Sequence, residues 1–151
     1  MRLTVYTDYA LRLLMYLGLG DNTLATIEEI AESYGVSKNH LMKVAHQLGV
    51  GGYIETVRGR HGGLRLARPP KEIGLGDVVR FTEADLTVAT SLESLGADSA
   101  VQPLCDLGEA LDRARDAFIA VLDDYTLYDL IRPQSALRSV LSITPGADTE
   151  S

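Results

Sequence analysis

Residues 37 to 66 read SKNHLMKVAHQLGVGGYIETVRGRHGGLRL, and this stretch decides the fold. Leu41, Val44, Ala45 and Leu48 recur at helical spacing and must face a core, which leaves Lys38, Asn39, His40, Lys43, His46 and Gln47 on the outer surface. Gly49-Val50-Gly51-Gly52 closes the helix. Tyr53 to Val57 then alternates as a strand, Arg58-Gly59-Arg60-His61-Gly62-Gly63 turns, and Leu64-Arg65-Leu66 returns as the second strand of a hairpin. Just upstream, Thr26-Ile27-Glu28-Glu29 has the form of a capping box opening a short helix to about Tyr34. Gly35 stands where a left-handed residue ends a helix, and Ser37 where a cap begins the next. Ala31, Gly35 and Leu41 have the spacing of a helix-turn-helix, so the segment predicts a winged helix-turn-helix.

The charge of this stretch needs a partner to explain it. Extended to Lys71, it holds seven of the fourteen Lys and Arg residues, all three histidines and one acid, Glu55, in a chain of formal net charge -7. Residues 1 to 80 carry net +2 and residues 81 to 151 net -9. Such asymmetry fits a nucleic-acid-binding front with an acidic rear turned away from phosphates. The residue types suit that partner. Asn and Gln can read an adenine edge, Lys can meet guanine or phosphate, and a glycine-rich turn with two arginines and a histidine can enter a minor groove. The candidate contacts are Thr26, Ser37, Lys38, Asn39, His40 and Lys43, with Arg58, Arg60, His61 and Arg65 in the wing. A nucleotide-binding loop is the rival reading of the glycines, but no Gly-Lys-Ser/Thr ending is present and a strand follows.

The flanking sequence completes the architecture: mainly α with a small β-hairpin. Asp8 to Leu19 reads as a buried helix capped by Thr7, with Asp8 and Arg12 four apart as an ion pair. Residues 1 to 80 form the winged helix-turn-helix unit. From Phe81 to Pro103 regular pattern is lost, as in a functional or mobile loop. Leu104, Leu107, Leu111, Ala114, Phe118, Val121 and Tyr125 then recur at alternating spacings of three and four, the seam of a long helix that favours a homodimer over packing on its own domain. Thr126 with Asp129 caps a short terminal helix, LYDLI, so that this part spans residues 104 to 131. The tail from residue 132 to 151, rich in Ser, Thr and Pro, is expected to be disordered. A signal-peptide pattern and a bilayer-length apolar run are absent, and the single cysteine cannot form an internal disulfide, so a cytoplasmic protein is expected.

Several blocks resemble one family. MRLTVYTDYALRLLMYL, the run Tyr34 to Leu41, the wing VRGRHGGLRL, the Gly76 to Arg80 box and Leu122 to Leu130 all resemble NsrR-type repressors, which belong with IscR and RirA among winged-helix regulators. The resemblance covers residues 1 to about 131. It implies a homodimer that binds palindromic double-stranded DNA and represses genes of nitric-oxide and nitrogen-oxide response. It also implies an iron-sulfur cluster held by three cysteines in the loop before the long helix, with Asp8 reaching the partner subunit's cluster. Only the last cysteine matches, Cys105. The upstream positions fall near Ser94 (or Glu93) and Ser99, and serine hydroxyls are poor replacements for thiolates. The metal candidates are therefore Cys105 and Asp8. A cluster-free variant, a member that senses otherwise, and a cluster with unusual ligands all remain open.

Two readings come from other classes. An enzyme would need a base beside Cys105, yet every histidine lies in the basic segment, so no enzyme is expected. A protein-interaction module with incidental DNA contact would use the acidic rear.

Overall fold

The computed structural model describes residues 2–86 and 107–143. Helix α1, Val5–Leu19, starts three residues before the expected position because Thr4, not Thr7, is its cap; the Thr4 side chain accepts the Thr7 amide at 3.3 Å. Thr7 is fully buried inside the first turn. What shifts the start is a carboxylate from 79 residues away. Glu83 Oε1 accepts from Thr4 N at 2.8 Å, Thr4 Oγ1 at 3.0 Å and Thr7 Oγ1 at 2.6 Å, while Thr7 Oγ1 lies 2.7 Å from Thr82 Oγ1. A negative charge at a helix N-terminus also suits the helix dipole. Burial by itself pushes the Glu83 carboxyl up, but the hydrogen bonds from Thr7 and Thr4 outweigh it and leave it below an ordinary glutamate.

The helix-turn-helix follows the expected local chemistry. Helix α2, Ile27–Tyr34, opens on the Thr26–Glu29 capping box and ends at Gly35 with φ 64° and ψ 39°. Helix α3, Lys38–Val50, is capped by Ser37, whose Oγ accepts the His40 amide at 3.4 Å. Strands β1, Ile54–Val57, and β2, Gly63–Leu66, pair antiparallel with Ile54 opposite Leu66 and Val57 opposite Gly63. Ala25 bridges to Leu64 and fastens the hairpin to the entry of α2. The fold class is as expected, mainly helical with one small two-stranded antiparallel sheet.

After a 3-10 turn at Pro70–Glu72 come α4, Leu75–Thr82, and α5, Leu107–Asp123. Phe81 and Thr82 thus end a helix rather than open the expected loop. Residues 87–103 of that loop, together with Leu104 and Cys105, lie outside the described residues. Helix α5 docks on α4 where Gly76 allows close approach: a Cβ there would stand 1.8 Å from Asp123 Oδ1. Asp123 takes two hydrogen bonds from Arg80, at 2.8 and 2.6 Å, and Ile119 is the buried residue of the helix. The apolar seam points elsewhere. Leu107, Val121 and Tyr125 are exposed, as is Ala114, and Leu111 and Phe118 are half-buried.

Helix α6, Leu127–Leu130, is tied by Thr126, whose amide and hydroxyl donate to Asp129 Oδ2 at 2.8 and 3.1 Å. The expected disordered tail is corrected over its first part. Residues Gln134–Leu141 form helix α7, with Leu141 buried. Arg138 holds it down, donating to the Leu19 carbonyl at 2.8 Å and pairing with Asp21, and the Ser33 hydroxyl donates to the Leu141 carbonyl at 3.1 Å. Residues 144–151 are outside the described residues. Helices α3, α4, α6 and α7 and strand β2 all pack on α1.

The Glu83 contacts set a pH dependence. Because its folded pKa is lowered, Glu83 stabilises the fold above the ordinary glutamate range, and the contribution is lost as pH falls through the depressed value. Glu83→Gln should cost about 1 kcal/mol at neutral pH, with the gap from wild type closing at acid pH below about 4.5, as measured by denaturant unfolding across pH.

Candidate nucleic-acid interface

Four buried side chains of α3, Leu41, Val44, Ala45 and Leu48, fix its orientation against the core. Its opposite surface exposes Lys38, Asn39, His40, Lys43, His46 and Gln47 together, as the spacing requires. There is no acid in its first turn, so its amide dipole is uncompensated toward an anion. Tyr9 of α1 lies against His40, ring centroids 6.2 Å apart, and supports the start of the helix.

The wing turn carries Arg58, Arg60 and His61, all exposed. The glycines act partly inward. A Cβ on Gly62 would stand 2.1 Å from the Val57 carbonyl oxygen, and one on Gly63 2.9 Å from that of Ala25, so the tight turn and its fastening to Ala25 require both. The freedom expected for contact with a partner is left to Gly59, at φ 117° with nothing within 4 Å of its would-be Cβ.

The seven cations of the basic segment are not equivalent. Lys43, Arg58 and Arg60 make no hydrogen bond, ion pair or ring contact with another described residue, leaving their charge free. Lys38 pairs with Glu28 on the first turn of α2, and Arg65 Nε with Glu55 Oε2 at 3.0 Å across the hairpin. The hydrogen bond from Lys38 holds the Glu28 carboxyl below the usual range. Arg68 stacks on Tyr53 at 4.4 Å and donates to the Gly52 carbonyl, and Lys71 lies over Tyr128 at 4.8 Å. Thr26 is occupied by its capping box, its Oγ1 accepting the Glu29 amide at 3.3 Å. Spacing alone does not reveal Glu28 as part of this surface, since it pairs ten residues away across the helix-turn-helix.

Of the two metal candidates, only Asp8 is among the described residues. Asp8 makes the expected ion pair with Arg12, 2.9 Å from Nε, and Arg12 lies over the Tyr34 ring at 5.6 Å. The Tyr34 hydroxyl donates to the Arg12 carbonyl at 2.9 Å; burial pushes its pKa up to about 12, the nearby Arg12 charge opposing this only in part. Cys105 is outside the described residues, and among those described no group of three His, Cys, Asp or Glu is placed to hold a metal ion. No helix among them is long and apolar enough to cross a membrane.

The sequence profile of the Rrf2 family, described as an iron-dependent transcriptional regulator, matches residues 3–133. The chain belongs to the Rrf2 family. It is 46% identical over 143 residues to an HTH-type transcriptional regulator NsrR of Bacillus licheniformis, covering 94% of this chain and all of the relative. Among solved structures it resembles CymR, the global cysteine regulator of B. subtilis, with a TM-score of 0.69 and 25% identity over 86% of this chain and 95% of that one. T. potens IscR gives the same TM-score and identity, covering 91% of each chain. The family and these relatives are transcriptional regulators. An iron-sulfur cluster held by three thiolates does not fit this member, because the whole chain has one cysteine. Protein purified without oxygen should carry less than one cluster per chain by iron and acid-labile sulfide analysis; stoichiometric iron and sulfide would show that other donors replace the missing thiolates.

Proposed function

We propose that this Rrf2 member is a homodimeric, sequence-specific repressor that binds a palindromic DNA operator in the cytoplasm and controls nitric-oxide and nitrogen-oxide response genes. The observation that supports the DNA-binding part is the exposure of basic side chains on both α3 and the wing turn, with Lys43, Arg58 and Arg60 unpaired among the described residues. In this reading Ser37 and the amides of the α3 N-terminus meet a phosphate, and Lys38, Asn39, His40 and Lys43 read base edges in the major groove. Thr26, at the α2 N-terminus, faces the backbone. Arg58, Arg60 and His61 enter the minor groove or follow its phosphates, with Arg65 beside them.

The dimer would form along the α5 seam through Leu104, Leu107, Leu111, Ala114, Phe118 and Val121. The exposure of Leu107 (44%) and Val121 (57%) on one chain supports this, since large apolar residues repeated along a helix face call for cover. Two-fold pairing would present two α3 helices to the two halves of a palindrome. Residues 1 to 80 then act as the reading unit and 104 to 131 as the dimerising unit. Repression of nitrogen-oxide genes rests on the resemblance to NsrR-type proteins. Cys105 and Asp8 stay candidates for the response to a signal.

Removing two free cations tests the DNA assignment. Lys43→Ala with Arg60→Ala should weaken operator binding at least tenfold at roughly 0.1 M salt and make log K against log salt shallower by nearly two, as followed by fluorescence anisotropy. Unchanged affinity and slope would refute it.

A further inference from the structure

We propose that Glu28 is a specificity-determining residue, which withholds Lys38 from phosphates on non-operator DNA and releases it only when α3 is fully docked. The inference rests on the reading of α3 and the wing as a DNA interface. Its physical basis is the unequal state of the cations there.

Lys38 is the first residue of α3 and Glu28 lies in the first turn of α2, so the pair joins the two helices at the end facing the expected DNA. Both side chains are about half exposed, 51% and 57%, so the contact can open without disturbing the core. The carboxylate sits well where it is, at the positive end of α2. Lys43, by contrast, faces outward with no partner among the described residues.

Binding to arbitrary DNA is driven by neutralising phosphates and releasing their counterions, and each cation that joins adds to affinity for every sequence alike. A lysine already neutralised by a neighbouring carboxylate contributes little to that process, and the carboxylate repels the backbone. Binding to the operator differs. There, base contacts along α3 seat the helix in the groove, and a guanine edge or a fixed phosphate can compete with Glu28 for the ammonium group. The pair therefore weakens loose, sequence-blind association more than it weakens the docked complex. Spending affinity in this way raises discrimination, which matters where specific sites compete with a large excess of others.

The test is a set of full-length variants titrated by fluorescence anisotropy against an operator duplex and a scrambled duplex of equal length over a salt series. Glu28→Gln should raise affinity for the scrambled duplex several-fold and steepen its salt slope by about 0.9, with a smaller gain on the operator, so that the ratio of the two falls. Glu109→Gln, on α5, adds the same charge and should leave the ratio unchanged. In a Lys38→Gln background Glu28→Gln should give a smaller gain on the scrambled duplex and no steepening of its salt slope, because only the carboxylate's own repulsion is relieved and no ammonium group is freed to meet a phosphate. An equal gain on both duplexes, no gain, or an undiminished gain and steepening without Lys38 would overturn the proposal. If the unmodified protein bound neither duplex in a salt-dependent manner, the DNA reading itself would fail and this inference with it.

Discussion

Burial of α1 is the constraint on which the rest of the molecule depends. Ala10, Leu13, Leu14 and Leu19 have no exposed surface, and α3, β2, α4, α6 and α7 all lean on this one helix. Each buried leucine contributes about 1.5 to 3 kcal/mol relative to exposure, far more than any of the surface ion pairs. Helix α3 is thus positioned mainly by apolar packing on its inner face, which leaves Lys43, His46 and Gln47 exposed on its outer face. Polar groups then tune that scaffold at its ends: Glu83 at the start of α1, Arg138 at its final carbonyl, and Arg80 with Asp123 where α5 joins.

The charges of the proposed interface are arranged in two tiers on this frame. Lys43 and the wing arginines are available at once, and Lys38 and Arg65 are held by acids on neighbouring elements. A surface of this kind can attract DNA at long range while reserving part of its charge for close approach. The acidic residues of the second half fall mainly beyond α4 in sequence, and those of α5 that are described are exposed or bonded along the helix, as Asp112 and Asp116 are to Arg115.

Much of this was legible in the sequence because it is written locally. The capping box at Thr26 and Glu29, the left-handed Gly35, the Ser37 cap and the alternation of the hairpin are short-range signals with one physical meaning each. What was not legible depends on distant residues. Thr7 looks like a cap until Glu83 is brought to Thr4, and the Ser-rich segment QSALRSVL looks unstructured until Leu141 finds the core and Arg138 finds Leu19. Periodicity found the apolar seam of α5, but which side meets α4 depended on the close approach at Gly76 and on Ile119. The exposure of the basic residues on α3 and the wing was legible from type and spacing; their division into free and paired cations was not, because Glu28 and Lys38 meet only in three dimensions.

The chain has three lysines, Lys38, Lys43 and Lys71, which makes its contact with DNA open to a complete chemical footprint. Acetylation of the folded protein with and without an operator duplex, read residue by residue by mass spectrometry, tests the placement of the interface directly. The α3 assignment predicts that DNA protects Lys43 and Lys38 and leaves Lys71, which lies over Tyr128, as reactive as before. Protection of Lys71 with Lys43 unchanged would contradict it.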